Sequence, residues 1–369
     1  MHVVIACDKF KGSLSALEAC QAIQRGLGAG VEAELCPIAD GGEGFVDAMV
    51  TALGGVKVEA FVHDPLGREI TGSYGMIQVQ GVPTAVIEMA EASGMWRITP
   101  AERNPRITST FGTGELMRHA VEVSGATRLL VGLGGSATND GGAGMAAALG
   151  VRFLDAEGAE LVPVPANLER LAAVDGAGRI VLPEILVACD VDHPLLGERG
   201  ASAVFGPQKG ASPEDVAFLD GVLARLVAVS GGQAESVTPG AGAAGGLGFG
   251  LLRFAGARLV SGFDLVADAL GLKERLAGTD LVITGEGSLD EQTLGGKGPA
   301  GVAKMARELG KPVVAFAGRA LPVAAPFFDG MYDLAGYGLP VEESMRRGGE
   351  LLESRSREAA HLLRGLVGA

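Results

Sequence analysis

The sequence is poor in the residues that build disulfide scaffolds, zinc centres and nucleic-acid surfaces. Its 369 residues include four cysteines, five histidines and one tryptophan. Cys7, Cys20, Cys36 and Cys189 form no CxxC pair, so no disulfide framework is indicated, and scattered thiols suit a reducing compartment. His2, His63, His119, His193 and His361 lack the mutual spacing of a zinc site. No G-x-S-x-G elbow is present. Aromatics make up 5%, with Trp96 the lone tryptophan, too few for stacking on nucleic acid. Positive charge is scarce as well: 30 Lys and Arg stand against 44 Asp and Glu, a formal net charge of −14. With a pI of about 4.9, such a surface repels nucleic acid and anionic lipid. No apolar run is long enough to span a bilayer. The first strand starts directly after Met1-His2, which leaves no room for a signal peptide, and a cytoplasmic location is expected.

What the sequence has in excess is glycine, 59 residues, many in short clusters between apolar strands. They carry no Gly-X-Y period and read as tight turns and ligand loops. An acidic protein that binds an anion must use local N–H groups, a few lysines or a metal, which points to these loops. Hydrophobic residues at 47% and charged residues at 20% are those of an ordinary globular chain. The length suggests two domains at about 150 residues each.

The chain opens with the rhythm of a parallel sheet. Residues 3–7 form an apolar strand. A capping box at Ser15 and Glu18 opens a helix whose apolar face is Leu17, Cys20, Ile23 and Leu27, and Gly28 stops it. A strand over 33–38 and a helix over 45–53 follow. The rhythm then breaks into three strands, 56–63, 68–79 and 83–90, whose short connections demand antiparallel pairing. A helix near 113–124 and a strand at 128–133 come next. The α/β rhythm resumes with a strand at 280–284, a helix from Pro299 to its stop at Gly310, and a strand at 313–317. This predicts an α/β protein with a doubly wound domain from both chain ends, 1–62 plus 275–369, and an inserted mixed-sheet domain, 63–274.

Several loops follow one design, an apolar strand and then Gly with Asp, Glu, Ser or Lys, at the strand ends where open parallel sheets bind ligands. In residues 8–13, Lys9, Lys11 and Ser13 around Gly12 can hold a carboxylate or phosphate, or form a solvated turn. In residues 40–44, Asp40 and Glu43 suit magnesium or a general base. An acidic first helical turn accounts for Glu43 but not for three glycines in four positions. Residues 132–142 place Gly134, Gly135, Ser136 and Asn139 where backbone and side chains can cradle phosphate. The same loop fits G-x-G-x-x-A, with Asp155 a little over twenty residues on, so an NAD(P)-dependent dehydrogenase is the rival reading.

In residues 285–290, Glu286 and Asp290 are candidate metal-side carboxylates. Lys297 downstream resembles the end of a Walker A loop, but the spacing fails and Gly298 replaces the hydroxyl residue, leaving a point charge for phosphate. Asp190 and Asp192, two apart, would face one way if extended, as magnesium or a base needs; a turn is the plainer account. Residues 240–245 match GxGxxG without a preceding strand and are expected to form a flexible interdomain or lid loop.

Seven stretches together carry a specific resemblance: DKFKGSLSA (8–16), PIADGGEG (37–44), GLGGSATNDGGAGMAAALG (132–150), ACDVDHPLLG (188–197), FGPQKGA (205–211), PGAGAAGGLGFGL (239–251) and TGEGSLDEQTLGGKGPAGVA (284–303). In this order the chain resembles the type I glycerate kinase family over nearly its whole length. The resemblance implies phosphorylation of D-glycerate by ATP, usually at the 2-position, and the chemistry of phosphoryl transfer adds Mg2+. It also implies a flavodoxin-like domain from both chain ends with an inserted domain likened to restriction endonucleases. It names no catalytic residue. The chemistry of phosphoryl transfer then suggests Asp190 first and Asp40 second for the substrate hydroxyl. Lys9, Lys11, Ser13 and Lys297 would serve anionic oxygens, Gly134, Gly135, Ser136 and Asn139 a phosphate cradle, and Asp192, Glu286 and Asp290 the metal. Partners are small molecules, with a homodimer left open. A noncatalytic sugar-acid binding protein is the other alternative.

Overall fold

The computed structural model describes residues 1–39, 41–291, 293 and 298–367. They form two compact units, one of Met1–Asp40, Asp47–Gly54 and Gly262–Ala369, the other of Gly41–Val46 and Gly55–Ser261. The expected boundaries at 62 and 275 thus differ from the observed ones. Residues 56–63 belong to the second unit because they are its edge strand. Helices Gly262–Leu270 and Leu272–Ala277 belong to the first because Phe263, Leu272 and Leu276 are buried in it.

Strands are numbered along the whole chain. The first unit holds β1 (His2–Cys7), β2 (Glu32–Leu35), β11 (Leu281–Leu289), β12 (Val313–Ala320) and β13 (Gly330–Asp333). All pair in parallel, in the order β13-β12-β11-β1-β2. Counted within the unit this is 2-1-3-4-5, the flavodoxin-like order, with its switch point between β1 and β11. Val3 to Cys7 are wholly buried, as the continuous apolar run requires of a sheet covered on both faces. Ile5, Ile283, Val314 and Phe316 pack with Ile23 of helix Ala16–Leu27 and Leu352 of helix Gly348–Val367. The capping box at the start of helix Ala16–Leu27 is formed. Ser15 N donates to Glu18 Oε2 at 2.9 Å, and Glu18 N donates to Ser15 Oγ at 3.3 Å. These bonds hold the Glu18 carboxyl below its usual range.

The second unit holds β3 (Val56–His63), β4 (Glu69–Val79), β5 (Val82–Glu88), β6 (Arg128–Gly132), β9 (Glu184–Ala188) and β10 (Arg258–Val260) in one sheet, ordered β10-β9-β6-β5-β4-β3. The short-turn strands β3, β4 and β5 pair antiparallel, and β5, β6, β9 and β10 pair in parallel. Asp64 closes the first turn, accepting from Leu66 N at 2.8 Å and Arg68 N at 3.0 Å. Two further strands, β7 (Arg152–Leu154) and β8 (Ala173–Asp175), form a separate antiparallel pair. In the parallel part Glu88 lies beside Gly132 and Gly132 beside Ala188, so three strands end level.

Candidate active site

In the first unit the candidate side chains lie at the carboxyl ends of β1 and β11, the switch point. Asp8 N donates to Gly285 O at 2.8 Å, fixing the turn after β1 to β11. Lys9 N donates to Asp8 Oδ1 at 2.6 Å. Phe10 is buried, and its N donates to Leu14 O at 2.9 Å, so the turn rests on an apolar foot while Lys9 is half-buried and Lys11 exposed. Ser13 Oγ donates to Met345 O at 2.5 Å. That hydroxyl anchors the turn to helix Val341–Arg346 instead of facing a ligand. A Cβ added at Gly298, which opens helix Gly298–Glu308, would lie 3.4 Å from Asp8 Oδ2, so this helix also starts beside the turn.

Glu286 and Asp290 are brought together on the far end of β11. Thr293 Oγ1 donates to Glu286 Oε1 at 2.8 Å and accepts from Asp290 N at 3.0 Å. Ser288 Oγ donates to Asp290 Oδ2 at 3.1 Å. Asp40 and Lys297 lie outside the described residues.

In the second unit two glycine turns meet over the ends of β6 and β9. A Cβ at Gly132 would lie 2.2 Å from Gly41 O, and one at Gly134 would lie 2.9 Å from Gly42 Cα. Only bare backbone permits this approach. Glu88, at the end of β5, accepts from Val46 N at 2.8 Å through Oε1 and so fixes the start of helix Phe45–Leu53. Sequence reasoning passed over Glu88; a carboxylate closing the apolar run 82–88 was the available signal. Asp190 is half-buried two residues beyond β9.

Asp192 does not join Asp190, contrary to the shared face expected of an extended segment. Its side chain is 74% exposed and accepts from Arg199 Nη2 at 3.0 Å, while Asp190 is half-buried. Asn139 is likewise not at a cradle surface. It is fully buried, and its Nδ2 donates to Ser202 Oγ at 2.9 Å.

Around Asn139 lies a polar centre. Asp140 accepts from Thr110 N and Thr110 Oγ1, both at 2.8 Å, and from Gly142 N and Gly144 N, both at 3.1 Å. Lys209 Nζ donates to Thr138 O at 2.7 Å. Burial pushes the Asp140 carboxyl up against these donors. Burial also brings the Lys209 ammonium down to about 7, with the Asp140 charge opposing the shift. Residues 240–245, expected to form a flexible interdomain or lid loop, are instead all buried, as are the residues through 250. Gly245 holds φ +68°, and a Cβ there would lie 1.9 Å from Thr138 O.

The dehydrogenase reading fails on geometry. Asp155 does not follow the next parallel strand. It closes a turn after β7, accepting from Glu157 N at 3.1 Å and Ala159 N at 2.9 Å, and β7 pairs antiparallel with β8 outside the main sheet.

Residues 3–364 match the glycerate kinase family. The chain belongs to the glycerate kinase family. A glycerate kinase of Bacillus subtilis (strain 168) is 43% identical over 98% of this chain and 97% of its own. A glycerate 2-kinase of Escherichia coli (strain K12) is 46% identical over 86% of this chain and 85% of its own. The crystal structure of a chain described as glycerate kinase 2 from Salmonella typhimurium LT2 aligns with a TM-score of 0.88 at 42% identity, covering 99% of this chain and 98% of that one. As a kinase of this family, the chain places its glycine turns at the ends of parallel strands in both units. Among the described residues no helix is long and apolar enough to cross a membrane.

Proposed function

We propose that the chain transfers the terminal phosphoryl group of ATP to the 2-hydroxyl of D-glycerate, giving ADP and 2-phosphoglycerate. The observation that carries this reading is the family match across residues 3–364, which takes in every glycine turn described above. The glycerate 2-kinase of Escherichia coli supports the 2-position. The reading assigns the chain to the cytoplasm, in accord with scattered cysteines of which Cys7, Cys20 and Cys36 are buried.

The roles follow from position and chemistry. The reaction forms a bond between the substrate oxygen and phosphorus, breaks the bridging bond to ADP and releases the hydroxyl proton. Asp190, half-buried at a strand end, orients that hydroxyl and takes its proton. Asp40 is the second choice. Lys9 and Lys11 donate to anionic oxygens. The N–H groups of Gly134 and Gly135, with Ser136, cradle phosphate.

Magnesium fits the carboxylates of the first unit. Among the described residues no group of three or more His, Cys, Asp or Glu could form a metal cage. Glu286 and Asp290 instead offer two carboxylates ordered by Thr293, the sparse donor set of an ion that also binds substrate phosphates. Such an ion supplies charge neutralisation on the polyphosphate.

The test is ADP release from ATP-Mg with D-glycerate, with the product identified by phosphorus NMR. A 2-phosphoglycerate signal is expected. A 3-phosphoglycerate signal would reject the assigned position, and folded protein releasing no glycerate-dependent ADP would reject the reading.

A further inference from the structure

Lys209 is the one lysine or arginine among the described residues that is buried, with 1% of its surface exposed. It closes the short turn Pro207–Lys209 behind helix Ala201–Phe205 and extends into the polar centre of the second unit. Its Nζ meets Thr138 O at 2.7 Å. Thr138 Oγ1 and Asn139 Oδ1 are buried there with no hydrogen-bond partner among the described residues. Gly245 presses bare backbone against the same Thr138 carbonyl, and Gly141 N donates to Gly245 O at 3.1 Å. Asn139 is tied in turn to Ser202.

A lysine is an expensive way to satisfy one carbonyl. Burying an ammonium disfavours folding unless it is well paired, and the Asp140 carboxylate already has four donors of its own. The neighbouring loop has a need that this arrangement meets. Residues 132–142 include five glycines, Gly132, Gly134, Gly135, Gly141 and Gly142, whose backbone is the freest of any residue. Such a loop must be positioned from outside, and the Thr138 carbonyl, two residues past Ser136, is where Lys209 takes hold.

We propose that Lys209 is a positioning residue for phosphoryl transfer: through Thr138 O, and with the Asn139–Ser202 bond beside it, it holds the Gly134–Ser136 backbone in register for phosphate. The inference rests on the reading of this loop as a phosphate cradle.

The test compares Lys209→Met with the wild-type full chain. The variant removes the donor and keeps the side-chain volume. Expected are a fall of about tenfold or more in kcat/KM for ATP, a KM for D-glycerate within about twofold, and faster amide hydrogen exchange confined to residues 134–142. Unchanged kcat/KM for ATP would overturn the proposal. So would parallel changes toward both substrates that track a loss of thermal stability, the mark of a merely structural residue. Should Lys209→Met fail to accumulate as folded protein, Ser202→Ala loosens the loop from the same side. A fall of about threefold in kcat/KM for ATP, with the D-glycerate KM unmoved, supports the device, and no change overturns it. If the wild type shows no glycerate-dependent ADP release, the functional reading fails by itself. The exchange comparison then decides alone: equal exchange in Lys209→Met and wild type overturns the role of Lys209, and local acceleration upholds it.

Discussion

A Cβ placed on Gly41 would lie 2.2 Å from the Cβ of Ala188, closer than two carbon atoms can come without displacement. Gly41 also holds φ +84°, a conformation that costs other residues about 1–2 kcal/mol. The turn therefore rests directly on the last residue of β9, two residues before Asp190. Gly44 in the same turn has φ +87° but nothing within 4 Å of an added Cβ. Gly41→Ala should lose about 2–4 kcal/mol of stability and at least about tenfold in kcat/KM. Gly44→Ala should lose only the conformational term, about 1–2 kcal/mol. Urea unfolding and steady-state kinetics on both variants separate the two; equal losses would show that the Ala188 contact sets nothing.

Asp190 and Asp192 separate in the same way. Asp192 pairs with Arg199 on the surface, the two side chains 74% and 68% exposed, and exposed pairs contribute little. Asp192→Ala should change kcat/KM by less than about twofold and leave stability within about 0.5 kcal/mol. Asp190→Asn should keep the fold and lose about 10²–10⁴-fold in kcat, the range of general acid–base catalysis. Wild-type turnover in Asp190→Asn would remove it as the base, and a large loss in Asp192→Ala would restore the paired-carboxylate site.

Local chemistry was legible in the sequence. The apolar run 3–7, the Ser15–Glu18 capping box and the short turn at 64–67 depend on neighbours a few residues away, and each is formed as read; the turn expected at 81–83 falls at Gln80-Gly81 instead, with Val82 and Pro83 already paired in β5. The glycine clusters at 41–44 and 132–135 were legible as turns because they follow apolar strands. Long-range pairing was not. Ser13 reads as a free hydroxyl until Met345, 332 positions on, accepts from it. Lys209 stood in FGPQKGA without an assigned role, and its partner Thr138 lies 71 positions back. Residues 240–245 read as a flexible interdomain or lid loop because small residues give no sign of packing, yet the smallness of Gly245 and Gly246 is what lets backbone meet backbone at Thr138 and Gly141. Asn139 failed for the same reason, its partner Ser202 lying in a segment with no sequence relation to it.

Burial of Lys209 has a consequence for stability that runs with pH. Its ammonium is brought from an ordinary value of 10.5 to about 7 in the folded chain. Above about 10.5 both folded and unfolded chains hold the neutral amine, and burial costs nothing through this group. Between about 10.5 and 7 the unfolded chain binds a proton that the folded chain does not, so this group destabilises the fold progressively as pH falls. Below about 7 both are charged and the full penalty persists. Asp140, raised by burial, contributes in the opposite sense, its stabilising effect lost as pH rises from its ordinary acidic value. The Cys36 thiol, pushed up to about 12 by burial, is present in both proteins and drops out of a difference between them. The stability of Lys209→Met relative to wild type should therefore be most favourable near pH 7 and decline toward pH 9.5, by up to about 1.4 kcal/mol per pH unit. Urea unfolding of both proteins at pH 7, 8, 9 and 9.5 measures this directly. A difference that stays flat with pH would mean that Lys209 titrates at its ordinary value and that water reaches the polar centre.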